Sequence, residues 1–305
     1  MVPHEHLWIP VTLFAAFAQT IRNATQKHLT ASLGTLGATL VRFLYGLPFA
    51  LAWLAAVHQV GGFALPVPNW SFIGWILLGA VGQIAGTALL LQVLTERNFT
   101  LGIAYSKTEA MQVAFFGFLF LNDPIGPTVL VAVFFGTLGV LLISPIDRQH
   151  PLRALLAGWT TRVALFGLAC GACFSFASVG YRGGALALEG TPFPMAAAFG
   201  LVVAQASQTL LLGGWILTRN ADTVVQVLQA WRTSLFVGFM GAAASAAWFI
   251  AMAIEPIAHV RTLALVELLF AYVISRRYFR ERLTRVELTG IALLTIGLIV
   301  VTLAR

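Results

Sequence analysis

Six charged residues stand inside stretches that are otherwise apolar: Arg22, Arg42, Lys107 and Arg261, with the carboxylates Glu109 and Glu267. A charge at the centre of a membrane helix costs roughly 2.5 to 3.5 kcal/mol on insertion scales, so such residues face a partner or a wet cavity. Arginine or lysine in a cavity would hold a carboxylate or another anionic group. A glutamate there would bind a cationic amine or a proton, because desolvation disfavours its charged form and a neighbouring cation restores it. The plainer alternative is that these charges pair with one another or reach for the membrane surface.

The surrounding sequence explains why depth is at issue. Of 305 residues, 59% are apolar and 10% charged, against roughly 25% charged in a soluble domain, and the mean hydropathy is +0.88. Ten apolar segments follow one another, each near the ~20 residues that span about 30 Å of hydrocarbon. They run from Trp8 to Leu29, Thr35 to His58, Trp70 to Leu94, Phe99 to Leu121, Pro127 to Pro145, Thr161 to Tyr181, Pro194 to Thr218, Trp231 to Ile254, Ala258 to Phe279 and Val286 to Ala304. Short linkers rich in Gly and Pro join them, and none is long enough for a soluble domain. The first ten residues lack the basic region of a cleavable signal peptide, so the first segment is expected to remain.

Shifting the chain by 158 residues lays Glu109 to Leu142 on Glu267 to Val300, so that Glu109 meets Glu267, Asp123 meets Glu281, Thr137 meets Thr295 and Gly139 meets Gly297. The two copies lie five segments apart, and an odd number of crossings inverts one against the other. This predicts an all-α integral membrane protein of ten transmembrane helices in two inverted five-helix repeats, residues 1–148 and 149–305, the plan of many secondary transporters. Basic residues favour one face. Lys27, Arg97, Arg148, Arg153, Arg162, Arg219, Arg232 and five arginines after the ninth segment lie there, against Arg182 and Arg305 on the other. The positive-inside rule then puts both termini outside.

Helical spacing gathers further side chains about the charges. Segment 4 aligns Tyr105, Glu109, Gln112 and Phe116; segment 1 aligns Gln19, Arg22 and Gln26 beside Thr20, Asn23 and Lys27. Segment 2 presents Thr39, Arg42, Gly46, Phe49 and Trp53, and segment 9 presents His259, Leu263, Glu267 and Phe270. Segments 6, 7 and 8 add Ser175, Ser178 and Arg182, then Gln205 and Gln208, then Ser245, Trp248 and Met252. A central cavity bordered mainly by segments 1, 4, 6, 8 and 9 follows, with a net positive lining. The glycines of segments 3, 6 and 8, among them Gly79, Gly82, Gly86, Gly167, Gly171, Gly238 and Gly241, fit close helix packing better than binding. Pro48 marks a kink.

Other chemistries lack their residues. The net charge of +7 is expected at membrane flanks, and no basic stripe with interleaved aromatics suggests nucleic acid. Cys170 and Cys173 keep a C-x-x-C spacing with no second pair, too little for a metal or redox site. Asn98-Phe99-Thr100 fits a glycosylation sequon but lies tight against the membrane. The sequence holds no Walker loop and no dinucleotide fingerprint, so neither nucleotide hydrolysis nor a cofactor is expected.

The Leu40-Val41-Arg42-Phe43 run, Lys27 before it, and Phe279-Arg280-Glu281-Arg282-Leu283-Thr284 followed by Gly290 and Gly297 resemble the EamA branch of the drug/metabolite transporter superfamily. The resemblance covers nearly the whole chain. It departs at Asn122-Asp123-Pro124, at Gln19, and at Glu109-Ala110 and Glu267-Leu268, where many members carry a proline. It implies a ten-helix carrier of two repeats, with both termini in the cytoplasm, whose export or exchange of small metabolites, amino acids or drugs is driven by a gradient.

The expected protein is therefore a carrier in a bacterial inner membrane, not an enzyme, working by alternating access on small amphipathic or anionic metabolites. Its partners are the substrate, the bilayer and protons as a candidate coupling ion; the oligomeric state stays open. Arg22, Lys27, Arg42, Lys107 and Arg261 are candidate anion contacts, Glu109 and Glu267 proton or amine sites, Gln112 a polar neighbour, and Tyr105 and Trp248 cavity walls. Two other readings remain: an exporter of lipophilic cations, and a membrane scaffold or lipid-modifying enzyme. The latter lacks a clustered nucleophile, base and orienting acid.

Overall fold

The computed structural model describes residues 6–96, 99–107, 162–280 and 284–286 continuously, with scattered positions among 109–142 and 288–296. Among the described residues the secondary structure is helical, without strands. This is the expected solution in lipid, where a helix satisfies its own backbone polar groups.

Helix α1, Trp8–Leu44, is interrupted at Gly34, whose φ of 66° and ψ of 174° lie outside helical space. That region is open almost only to glycine. The break falls between the first two apolar segments read from the sequence, and Gln26 Nε2 bridges it with a 2.8 Å bond to Ala38 O. Helix α2, Leu47–Gln59, begins with Pro48 in its first turn, where the missing N–H costs nothing. The continuous stretch Trp8–Gln59 has 52 residues, about 78 Å if straight, so a single crossing could not use it all.

Helices α3 (Trp70–Glu96), α4 (Phe99–Ser106), α5 (Arg162–Ala187), α6 (Phe193–Arg219), α7 (Ala221–Gln229) and α8 (Trp231–Ile254) follow. The predicted ninth segment is not one helix. It divides into α9 (Ile257–Leu263), a 3-10 turn over Ala264–Val266 and α10 (Glu267–Arg277). The short α7 was not foreseen; it buries Val227 and exposes Val225 and Leu228. The Tyr45 hydroxyl fixes it through the carbonyls of Val227 and Leu228 at 3.1 and 3.3 Å. Five stretches among the described residues are long and apolar enough to cross a membrane: Trp8–Gln59, Trp70–Glu96, Leu165–Ala187, Phe193–Arg219 and Trp231–Ile254. Most of segments 5 and 10, and with them most of the predicted repeat, lie outside the described residues.

Two compact units emerge, each assembled from separate parts of the chain. The first comprises Met1–Ile84 and Phe176–Glu255, the second Ala85–Ser175 and Pro256–Arg305. In the first, α1 packs most extensively on α8, and α6 packs on α2, α8 and α1. In lipid there is little hydrophobic drive between helices, so close backbone approach and van der Waals packing must hold them. Gly180 shows this: a Cβ there would lie 2.6 Å from both Gly79 N and Trp75 O. Gly183 and Gly184 rest on Trp75 and Ile76, and Gly238 on the Tyr45 backbone. In the second unit Gly86 faces the ring of Phe174, and α4 packs on α10.

Candidate functional site

The second unit gathers four of the six charges. Lys107 follows the last turn of α4, and its ammonium forms an ion pair with Glu267. The carboxylate Oε1 of Glu109 lies 3.0 Å from Arg261 Nε. All four side chains are buried, at 8% exposure or less. The chain break supplies the local reason. Glu267 opens α10, where the positive end of the helix dipole favours a carboxylate, and Arg261 lies in the last turn of α9, where the negative end favours a cation. Ser175 Oγ points at two carbonyls, Gly171 O at 2.9 Å and Glu109 O at 3.2 Å. Gln112 Nε2 approaches Leu168 O at 3.5 Å. The side chain of Tyr105 lies outside the described residues.

These pairs change the expected charge balance. Two cations and two anions cancel within this unit, so Lys107 and Arg261 are not simply anion contacts awaiting a ligand. Each carboxylate already has a basic partner from distant sequence: Lys107 and Glu267 are 160 residues apart. An ion pair in a poorly solvated place holds only while both members stay charged. Protonating the glutamate or supplying another anion to the base would release it.

The first unit holds Arg22 and Arg42, at 1% and 3% exposure. Arg22 Nη2 donates to Asn23 Oδ1 at 2.7 Å, and Arg42 Nη2 approaches Ser245 Oγ at 3.5 Å. With the Gln83 amide oxygen turned toward the guanidinium, it accepts from Arg42 Nη1 and Nη2 at 2.7 and 2.8 Å. Both arginine stems pass over Gly241 of α8: a Cβ there would lie 3.3 Å from Arg42 Cγ and 3.4 Å from Arg22 Cδ. The glycine thus gives α1 and α8 room to bring two guanidinium side chains to one place.

The polar stripe of the first predicted segment is buried, with Thr20, Arg22, Asn23 and Gln26 all at 1% or less. The Thr20 hydroxyl satisfies itself on Ala16 O at 2.7 Å, a common device for hydroxyls in membrane helices. Trp248 is buried and donates from Nε1 to Gln19 Oε1 at 3.0 Å. Lys27 is half-buried, whereas Trp53 is 38% exposed and so leaves the stripe of segment 2. Gln208 donates to the Tyr181 hydroxyl at 2.7 Å. Sequence reading missed Gln83, which the fold buries to 8% exposure; its signal was an amide midway along an apolar helix. It counted Arg182 both on the stripe of segment 6 and on a loop face. In the structure Arg182 Nη1 instead donates to Met252 O and Glu255 O at 2.6 and 2.8 Å, capping the end of α8 as the dipole favours. Cys170 is buried against Gly86 O at 3.3 Å, and both thiols are free.

No curated protein matches the chain significantly. Among solved structures, one crystal structure aligns over 97% of this chain and 96% of its own, with a TM-score of 0.63 and 16% identity, a likeness of fold alone. Residues 6–144 match the model of the EamA-like transporter family. These residues carry α1 to α4, the Leu40–Phe43 run, the buried Arg22 and Arg42, and the charges Lys107 and Glu109. Over those residues, somewhat less than half of the chain, it is similar to EamA-like transporters of the drug/metabolite transporter superfamily, and its long apolar helices mark a multi-pass membrane protein.

Proposed function

We propose that the chain is a secondary transporter of small amphipathic or anionic metabolites such as amino acids, an exporter or exchanger working by alternating access in a bacterial inner membrane. The plan would be ten helices in two inverted five-helix repeats, 1–148 and 149–305. The observation that carries the reading is the pairing of four buried charges of the second unit, Lys107 with Glu267 and Arg261 with Glu109. Breaking a buried pair by removing one partner costs about 3 to 5 kcal/mol, so a carrier that opens it needs a substitute charge. A proton on Glu267 or Glu109 frees Lys107 or Arg261 for an anionic cargo, and loss of the proton restores the pair. Proton movement and anion binding are then two uses of one interaction. Arg22 and Arg42 supply further anion contacts, beside Trp248 and Gln19; Lys27, Gln112 and Tyr105 are the remaining candidate contacts.

The test is uptake by proteoliposomes across a panel of amino acids, other organic anions and lipophilic cations, with and without an imposed pH gradient. Gradient-driven uptake of an anionic or zwitterionic metabolite is expected, and the driven component should vanish when Glu109 and Glu267 are both replaced by Gln. Driven uptake that persists in the double variant would remove the glutamates from coupling. Uptake confined to cations would replace this reading with a multidrug exporter.

A further inference from the structure

A cavity of about 370 Å³ opens where α1 is broken, its walls including Leu33, Gly34, Trp215, Ile216, Arg219 and Thr223. All belong to the first unit. The break itself makes the room: a Cβ on Gly34 would meet nothing within 4 Å. The position along α6 gives the depth. That helix has 27 residues, about 40 Å, against a hydrocarbon core of about 30 Å. A helix of that length overhangs the core, and its terminal residue Arg219 lies one turn beyond Trp215. An indole followed by a guanidinium is the pairing that marks a membrane interface. Trp215 is 50% exposed and Arg219 is also exposed. Asp222 lies in the first turn of α7 but does not line the cavity.

The occupant must match two chemistries. Leu33 and Ile216, at 6% and 2% exposure, form an apolar floor beside the more exposed Leu36 and Trp215, and Arg219 is the single charged residue of the lining. A small hydrated anion would leave the apolar wall uncovered; a neutral lipid would leave the guanidinium without its complement. We infer that this cavity holds an anionic phospholipid, with Arg219 on the phosphate and an acyl chain laid along Leu33, Ile216 and Trp215 in the break of α1. The site is independent of the transport reading, because its residues are not those placed in substrate binding.

The experiment is native mass spectrometry of the full chain in detergent, titrated separately with phosphatidylglycerol, phosphatidylcholine and inorganic phosphate. The wild type should retain one more phosphatidylglycerol than phosphatidylcholine. Arg219→Gln should lose that additional lipid, Arg219→Lys should keep it, and Leu36→Trp, which adds bulk to the lining, should lower it. Equal retention of phosphatidylglycerol by the wild type and Arg219→Gln overturns the site. So does equal retention of the two lipids by the wild type, or retention of phosphate with no preference for the anionic lipid.

Discussion

Removing one member of a buried ion pair costs more than removing both, because the survivor keeps a desolvated charge with no compensation. Lys107 and Glu267 are suited to that comparison, at 5% and 1% side-chain exposure. Lys107→Met should destabilise the protein by about 3 to 5 kcal/mol, and Lys107→Met combined with Glu267→Leu should recover most of the loss. Thermal unfolding in detergent measures both; equal destabilisation of the single and double variants would show that Glu267 does not depend on Lys107. Arg42 differs, since it is held by amide and hydroxyl groups of Gln83 and Ser245. Arg42→Gln should leave the melting temperature less changed than Lys107→Met while cutting uptake of an anionic substrate at least several-fold. A melting loss without an uptake loss would assign Arg42 to structure.

At the scale of elements, two glycines make opposite demands. Gly34 has space around it but a left-handed φ of 66°, so Gly34→Ala should cost about 1 to 3 kcal/mol through backbone strain alone. Gly180 has an ordinary helical backbone but no space, since a Cβ there would lie 2.6 Å from the backbone of α3. Gly180→Ala must push α5 away from α3 and lose the packing that holds helices together in lipid. Adding a larger side chain at each position separates the causes: Gly180→Leu should be far worse than Gly180→Ala, whereas Gly34→Leu should resemble Gly34→Ala. Melting curves of the four variants check this, and a similar size dependence at both sites would refute the distinction. The split of the ninth segment into α9, a 3-10 turn and α10 belongs to the same scale. It places Glu267 at a helix start and Arg261 at a helix end, so the backbone dipoles support the charges that the side chains pair.

For the whole molecule, membrane residence and the helical class were legible from composition, since long apolar runs and sparse charge leave few other solutions in lipid. The break near residue 34 could be read from the end of one apolar segment and the start of another, and the buried face of α1 from its three- and four-residue spacing. Those signals are local: hydropathy and helical period are properties of neighbouring residues. Which charge meets which could not be read that way. Lys107 finds Glu267 across 160 residues, Gln83 finds Arg42, and Arg182 caps α8. Each contact depends on how separate helices pack, and an amide or a glycine shows no periodic trace of the neighbour it will meet. Sequence alone thus determined the solvent, the helical class and the charges set within apolar stretches. Tertiary structure decided that four of those charges cancel in pairs, because electrostatic partnership is set by distances that only folding creates.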